Sequence, residues 1–122
     1  SGWQMSNAQI LPMAAHWASL EIFDKVGMHK LREKSIKLTA YLEFLLVNNP
    51  FGFKIITPKN KAERGCQLSL LTGDDGKKLF DHLQKSGVIA DWREPNVIRI
   101  APVPLYNSFQ DVWRFVDILK GF

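Results

Sequence analysis

One stretch near the end of the chain, residues 96–119, constrains the fold more than any other. Val97–Ala101 is rich in β-branched residues and lies between a Pro-Asn turn and a proline-containing segment, which predicts a short strand. Neighbouring side chains of a strand point to opposite faces of the sheet. Ile98 and Ile100 are therefore expected in a core, and Arg99 is expected on the opposite face.

The segment that follows this strand is predicted to be a rigid turn. Pro102 and Pro104 stiffen the backbone and end strand pairing, and either Asn107 or Ser108 is suited to cap a closing helix. A fixed cation beside such a turn is a suitable holder for a carboxylate or phosphate. The spacing alone nevertheless favours Arg99 as a surface arginine on an exposed sheet face.

The rest of the chain alternates between helical and strand-like patterns. Gly27 separates two predicted helices, and the second carries a stripe of leucines at positions 31, 38, 42 and 45. The predicted helices are 8–26, 28–48, 77–85 and 108–120, and the predicted strands are 53–57, 66–71, 88–92 and 97–101. The order α-α-β-β-α-β-β-α with short connections predicts an α+β fold. We expect one two-layer domain over residues 1–122, with a mainly antiparallel four-stranded sheet and helices on one face.

Composition argues against several classes of protein. The net charge of +4 is not concentrated in any basic block; it permits nucleic-acid binding but does not argue for it, and we expect no nucleic-acid partner. No apolar run reaches the ~18 residues that a membrane helix needs, and the start lacks the pattern of a signal peptide. The single Cys66 is typical of a reducing compartment, so we expect a cytoplasmic protein. The three histidines lie far apart without ligand spacing, which argues against a metal site.

The first twenty residues contain no charged side chain. Such a segment is too polar for a bilayer, so we expect it to be covered by protein, either a partner subunit or a further domain. Ser6 and Asn7 lie in this segment, and Asn7 is also placed to cap the first helix.

Four stretches of the chain resemble the C-terminal part of kynureninase. They are Gly-Trp-Gln-Met-Ser-Asn at 2–7, Ala-Ser-Leu-Glu-Ile-Phe at 18–23, Glu-Arg-Gly-Cys-Gln-Leu at 63–68, and Arg-Ile-Ala-Pro-Val-Pro-Leu-Tyr-Asn-Ser-Phe at 99–109. The last motif is long and specific. The resemblance covers nearly the whole of this chain and about the last third of a family member.

The resemblance implies the small domain of a fold-type-I enzyme that uses pyridoxal phosphate. Kynureninases cleave the Cβ–Cγ bond of kynurenine or 3-hydroxykynurenine, giving alanine and an anthranilate. By matching positions, Arg99 would bind the α-carboxylate of the substrate, whereas Asn7 and Ser6 would lie at its aryl-ketone end. Family members are homodimers with active sites at the subunit interface, which agrees with an uncharged N-terminal segment.

The cofactor-binding parts of the family have no counterpart in this sequence. The Schiff-base lysine, the aspartate that pairs with the pyridine nitrogen and the phosphate-binding residues belong to the large domain. We therefore expect the 122-residue chain alone to bind no pyridoxal phosphate and to be inactive. Two alternatives remain open: a free-standing module that binds a small carboxylate at Arg99, and, with less support, a nucleic-acid-binding domain.

Overall fold

The computed structural model describes residues 10–49 and 51–122. Its helices are α1 (Ile10–Val26), α2 (Met28–Val47), α3 (Gly76–Lys85) and α4 (Phe109–Lys120), with a short 3₁₀ turn at Lys61–Glu63. Its strands are β1 (Lys54–Ile55), β2 (Leu68–Leu71), β3 (Asp91–Arg93) and β4 (Val97–Ile100). The predicted α+β class and the predicted element order are both confirmed.

The chain divides after Leu31 into two compact units. In the first unit, α1 is followed by Gly27, whose φ of +86° is a left-handed conformation that favours glycine. The Gly27 N–H still donates to the Phe23 carbonyl at 2.8 Å, and the Gly27 carbonyl accepts from Leu31. No residue of α1 is buried.

The second unit contains an antiparallel sheet in the order β1-β2-β4-β3. In the β2–β4 pair Leu68 lies opposite Ile100, and Leu70 lies opposite Ile98. All four of these side chains are buried, so they form one apolar face of the sheet. The core is completed by the apolar stripes of three helices: Leu38, Leu42 and Leu46 of α2, Leu79, Phe80 and Leu83 of α3, and Val112, Val116 and Leu119 of α4.

The strands are shorter than the sequence predicts because other groups take their ladder hydrogen bonds. At the end of β1 the Thr57 hydroxyl, rather than a backbone carbonyl, accepts from the Ser69 N–H at 2.8 Å. Before β3 the Val88 N–H donates to the carbonyl of Leu83 at the end of α3, at 2.9 Å. The strand predicted at 53–57 is therefore only Lys54–Ile55, and the strand predicted at 88–92 begins at Asp91 rather than at Val88.

Two further predictions about side chains need refinement. In α2 the buried position after Leu42 is Leu46, whereas the predicted Leu45 is only half-buried. A spacing of four residues from Leu38 through Leu42 leads to Leu46, so the stripe keeps to one helix face. At the start of α4, Ser108 is the cap, and Asp111 completes a capping box with it.

Candidate carboxylate-binding site

The β3–β4 hairpin places three polar residues in one row across the sheet. Arg99 of β4 lies opposite Asp91 of β3 on one side and opposite Ser69 of β2 on the other. Directly paired residues in an antiparallel ladder share a face. Because the alternate residues Ile98 and Ile100 are buried, this row lies on the face away from the core. The predicted division of β4 between core and opposite face is confirmed.

Arg99 is an anchored arginine and not a freely solvated one. Its side chain is 32% exposed, and its Nε donates to Oδ2 of Asp91 at 2.7 Å. Its Nη2 donates to the same oxygen. No other residue of 10–49 or 51–122 accepts a hydrogen bond from the Arg99 guanidinium, so Nη1 has no acceptor in this part of the chain.

Asp91 also accepts from a second arginine. Arg93 Nε donates to the same Oδ2 at 2.9 Å, although the Arg93 side chain is mainly exposed. The hydrogen bond from Arg99, reinforced by the positive charges of both arginines, holds the pKa of the Asp91 carboxyl below its ordinary value. Two guanidiniums and one carboxylate leave this cluster with a net charge of +1. The cluster can therefore attract an anion while keeping Arg99 in place.

The turn after β4 is fixed by hydrogen bonds as well as by its prolines. Asn107 donates its N–H to the Val103 carbonyl at 2.8 Å, and its Oδ1 accepts from the Val103 N–H at 2.8 Å. Tyr106 N–H donates to the same carbonyl at 3.1 Å. The sequence offered Asn107 as a possible helix cap, but its side chain closes this turn and Ser108 caps α4.

An open groove of about 640 Å³ lies beside this turn. Its lining includes Val88, Ile100, Pro102, Tyr106 and Phe115. Arg99 does not line it, because Arg99 points to the opposite face of β4 from Ile100. The groove and the carboxylate-binding candidate are therefore separate features.

Arg64, in the motif at residues 63–68, is enclosed by contacts with other parts of the chain. Its side chain is only 5% exposed and forms an ion pair with Glu43 of α2. Nη1 of Arg64 also donates to the Pro58 carbonyl at 3.2 Å. The Arg64 carbonyl in turn accepts from Arg32 Nη2 at 3.0 Å. These contacts hold the 58–64 connection against α2, so Arg64 differs from Arg99 in having its charge already enclosed.

The sequence reasoning missed Asp91 as the partner of Arg99. A signal was present, since a hairpin centred on Pro95 places residues four before and four after it opposite each other. The other two predicted site residues, Ser6 and Asn7, lie outside the described residues. Their predicted role at the substrate stays a prediction.

Among residues 10–49 and 51–122, no three His, Cys, Asp or Glu side chains lie close enough together to hold a metal ion. No helix in this part of the chain is sufficiently long and apolar to span a membrane.

Comparison with known proteins identifies the family. Residues 31–119 match the family model described as the kynureninase C-terminal domain. The chain belongs to the kynureninase C-terminal domain family. The resemblance carried by the sequence motifs is thereby confirmed.

Curated relatives named kynureninase match the chain almost from end to end. The relative from Flavobacterium psychrophilum is 53% identical over 98% of this chain, and the relative from Christiangramia forsetii is 54% identical over 97% of it. The relative from Myxococcus xanthus is 53% identical over 98% of the chain. The chain spans only 28–29% of the length of these relatives, so it corresponds to one part of each of them.

Proposed function

We propose that this chain acts as the C-terminal domain of an enzyme that hydrolyses kynurenine or 3-hydroxykynurenine to alanine and an anthranilate. The observation that carries the proposal is the position of Arg99. A half-buried guanidinium is anchored on one edge by Asp91 and has no acceptor among the described residues on the other, within a chain that is 53% identical to a curated kynureninase. In this proposal Arg99 binds the α-carboxylate of the substrate.

The chemistry of arginine suits this role. A guanidinium stays charged at any working pH and presents N–H donors in a planar fork that matches the two oxygens of a carboxylate. The Ile98 and Ile100 side chains are buried, so the backbone that carries Arg99 is held by the core. Substrate binding would therefore not require the enzyme to order this part of the strand. Ser6 and Asn7 are proposed to lie near the aryl-ketone end, where an amide and a hydroxyl both donate and accept hydrogen bonds.

The cofactor of this proposal, pyridoxal phosphate, does not fit the residues of this chain. A Schiff-base lysine needs an enclosed site, yet none of the lysines is buried, and all of them lie in the described residues. Lys77, for example, is on the exposed side of α3 with its ammonium 4.8 Å from the centre of the Phe80 ring. We therefore place the cofactor site in a large domain outside this chain. When bound there, pyridoxal phosphate would supply the electron sink for the cleavage.

The proposed assembly is a homodimer in the cytoplasm, formed through the uncharged N-terminal segment. The support comes from the part of that segment that the structure describes. Leu11 and Trp17 of α1 are 81% and 66% exposed, and exposed large apolar side chains are typical of surfaces that a protein partner covers.

The experiment that tests the proposed function is substitution of Arg99 in the full-length protein that carries this domain. Loss of a shielded, charge-assisted hydrogen-bonded pair costs about 1.5–3 kcal/mol. We therefore expect Arg99→Ala to lower kcat/KM for kynurenine by at least about ten- to a hundredfold. Arg99→Lys keeps the charge but loses the fork, so its kcat/KM should fall less.

Arg114→Ala is the matched control, because Arg114 is an exposed arginine on α4 away from the row. This variant should retain the kcat/KM of the parent enzyme. If both Arg99 variants kept near-parental kcat/KM while remaining folded, Arg99 would be a surface arginine and the carboxylate assignment would be wrong.

A further inference from the structure

The two edges of the Arg99 guanidinium have different surroundings. On one edge, Nε and Nη2 both donate to a single oxygen, Oδ2 of Asp91. On the other edge, Nη1 and the second N–H of Nη2 have no acceptor among residues 10–49 and 51–122. A carboxylate can approach an arginine side-on, across Nε and Nη2, or end-on, across Nη1 and Nη2. Among the described residues, therefore, the side-on edge is occupied by Asp91 and none occupies the end-on edge.

Asp91 is well placed to keep the side-on edge occupied. It lies directly opposite Arg99 in the ladder, so the backbones of β3 and β4 set the separation of the two residues. Its Oδ2 also accepts from Arg93 at 2.9 Å, which holds the carboxylate from a second side. An aspartate is already ionised at neutral pH, and the hydrogen bond from Arg99 lowers the pKa of the Asp91 carboxyl further.

We propose that Asp91 is a positioning residue that fixes the guanidinium of Arg99, so that the substrate carboxylate binds end-on across Nη1 and Nη2. This inference rests on the proposed function, in which Arg99 binds that carboxylate. Binding in one fixed direction determines where the Cα of the substrate lies relative to β4. Asp91 would therefore influence substrate orientation without touching the substrate.

A different role for Asp91 makes the opposite prediction. Asp91 removes one positive charge from the neighbourhood of Arg99. If charge reduction were its main effect, replacing it would leave a more strongly positive site and would tighten carboxylate binding. If positioning is its main effect, replacing it frees the guanidinium to adopt other rotamers and weakens binding. The direction of the change in KM therefore separates the two roles.

The test uses the full-length holoenzyme with kynurenine as substrate, and measures kcat and KM separately. Asp91→Ala removes the acceptor, and we expect it to raise KM and lower kcat/KM by roughly three- to tenfold, a size common for coupled neighbours. Asp91→Asn keeps a neutral acceptor of the same shape and should fall between Asp91→Ala and the parent enzyme. Lys78→Gln is the control, because it breaks an exposed ion pair, with Asp75, that lies outside the row. We expect Lys78→Gln to change kcat/KM by less than about twofold, as for an exposed pair.

The same Asp91 substitutions in an Arg99→Ala background complete a double-mutant cycle. A residue that acts through Arg99 has nothing to position there, so Asp91→Ala should cause no further loss of kcat/KM in that background. An equal loss in both backgrounds would show that Asp91 acts only through general stability, and would overturn the inference. An unchanged or lowered KM for Asp91→Ala alone would also overturn it.

Failure of this inference is distinguishable from failure of the proposed function. If Arg99→Ala is severely impaired and Asp91→Ala is normal, Arg99 still binds the carboxylate and only the positioning role is wrong. If Arg99→Ala itself is normal, the proposed function fails, and the positioning role fails with it.

Discussion

The two faces of the sheet are made by the same strands but differ in how far their side chains are buried and in whether they carry charge. On the covered face, Leu68, Leu70 and Ile98 are each 0% exposed and contact the apolar stripes of the helices. On the open face, the side chains of Arg99 and Asp91 are 32% and 48% exposed and form a hydrogen-bonded ion pair. One face therefore excludes water, whereas the other keeps charge at the surface.

This difference follows from the alternation of side chains along one short strand. Side chains alternate along β4, so Ile98 and Ile100 fix the backbone while Arg99, between them, is presented on the other side. The core holds the backbone that carries the arginine, and Asp91 accepts hydrogen bonds from one edge of its guanidinium. We therefore expect substitutions on the covered face to lower stability and substitutions on the open face to alter binding.

The comparison is tested most strongly by truncating neighbouring residues of β4. Ile98→Ala should lower the free energy of unfolding by about 2–5 kcal/mol, because it removes buried methyl groups and leaves a cavity. Arg99→Ala should lower it by less than about 1 kcal/mol, because its ion pair is partly exposed to solvent. Urea unfolding of the 122-residue chain measures both values. Similar losses for the two variants would mean that the open face contributes to stability as much as the core does.

A second prediction concerns Gly76, where α3 approaches the hairpin that carries Arg99. A Cβ on Gly76 would lie 2.8 Å from Thr72 Cβ and 3.2 Å from Trp92 Cη2, so it would clash with the Thr72 side chain. The Thr72 hydroxyl donates to the Asn96 carbonyl at 2.8 Å, in the turn between β3 and β4. Gly76→Ala should therefore destabilise the chain by about 1–3 kcal/mol, as overpacking does, although alanine is the better helix former.

Gly73→Ala is the control for Gly76→Ala. A Cβ at Gly73 would have open space around it, and Gly73 does not have a positive φ. Its free energy of unfolding should change by less than about 0.5 kcal/mol, as at most surface positions. Equal stability of the two glycine variants would show that α3 moves away from Thr72 at little cost.

Features set by local rules could be predicted from the sequence. The alternation of Ile98, Arg99 and Ile100 follows from the pleat of a strand, and local rules narrowed the cap of α4 to Asn107 or Ser108, of which the structure has Ser108. The turn centred on Pro95-Asn96 was marked by its residue types. Each of these predictions depends on a few consecutive residues.

Features set by competition between distant groups could not be predicted in the same way. Val88 does not join β3 because its N–H donates to a carbonyl of the preceding helix. β1 ends where the Thr57 hydroxyl accepts from the Ser69 N–H. To predict that Asp91 pairs with Arg99, the register of the β3–β4 hairpin would have been needed, and the predicted strand 88–92 did not have the observed bounds. The roles of Ser6 and Asn7 came from the family resemblance alone and remain predictions.

The smallest expected effect is at the cap of α4, one of the helices on the covered face. It concerns how the free energy of unfolding changes as the pH falls. Asp111 Oδ2 accepts from the Ser108 N–H at 2.9 Å, and the Asp111 N–H donates to the Ser108 hydroxyl at 3.2 Å. The backbone hydrogen bond from Ser108 is the main cause that holds the pKa of the Asp111 carboxyl below its ordinary value. A carboxyl with a lowered pKa in the folded state contributes stability above its unfolded pKa, and this contribution is lost as pH falls through the folded pKa.

Ser108→Ala and Asp111→Asn should therefore respond differently to pH. Ser108→Ala removes the cap and should cost about 1 kcal/mol at neutral pH, but residue 108 keeps its N–H, so most of the acid sensitivity from Asp111 should remain. Asp111→Asn removes the titrating group, so its free energy of unfolding should fall less than that of the parent chain between neutral pH and the acid range. Urea unfolding of the three proteins at a series of pH values measures this difference. If Ser108→Ala lost as much acid sensitivity as Asp111→Asn, the hydroxyl rather than the backbone N–H would be the group that holds the carboxylate.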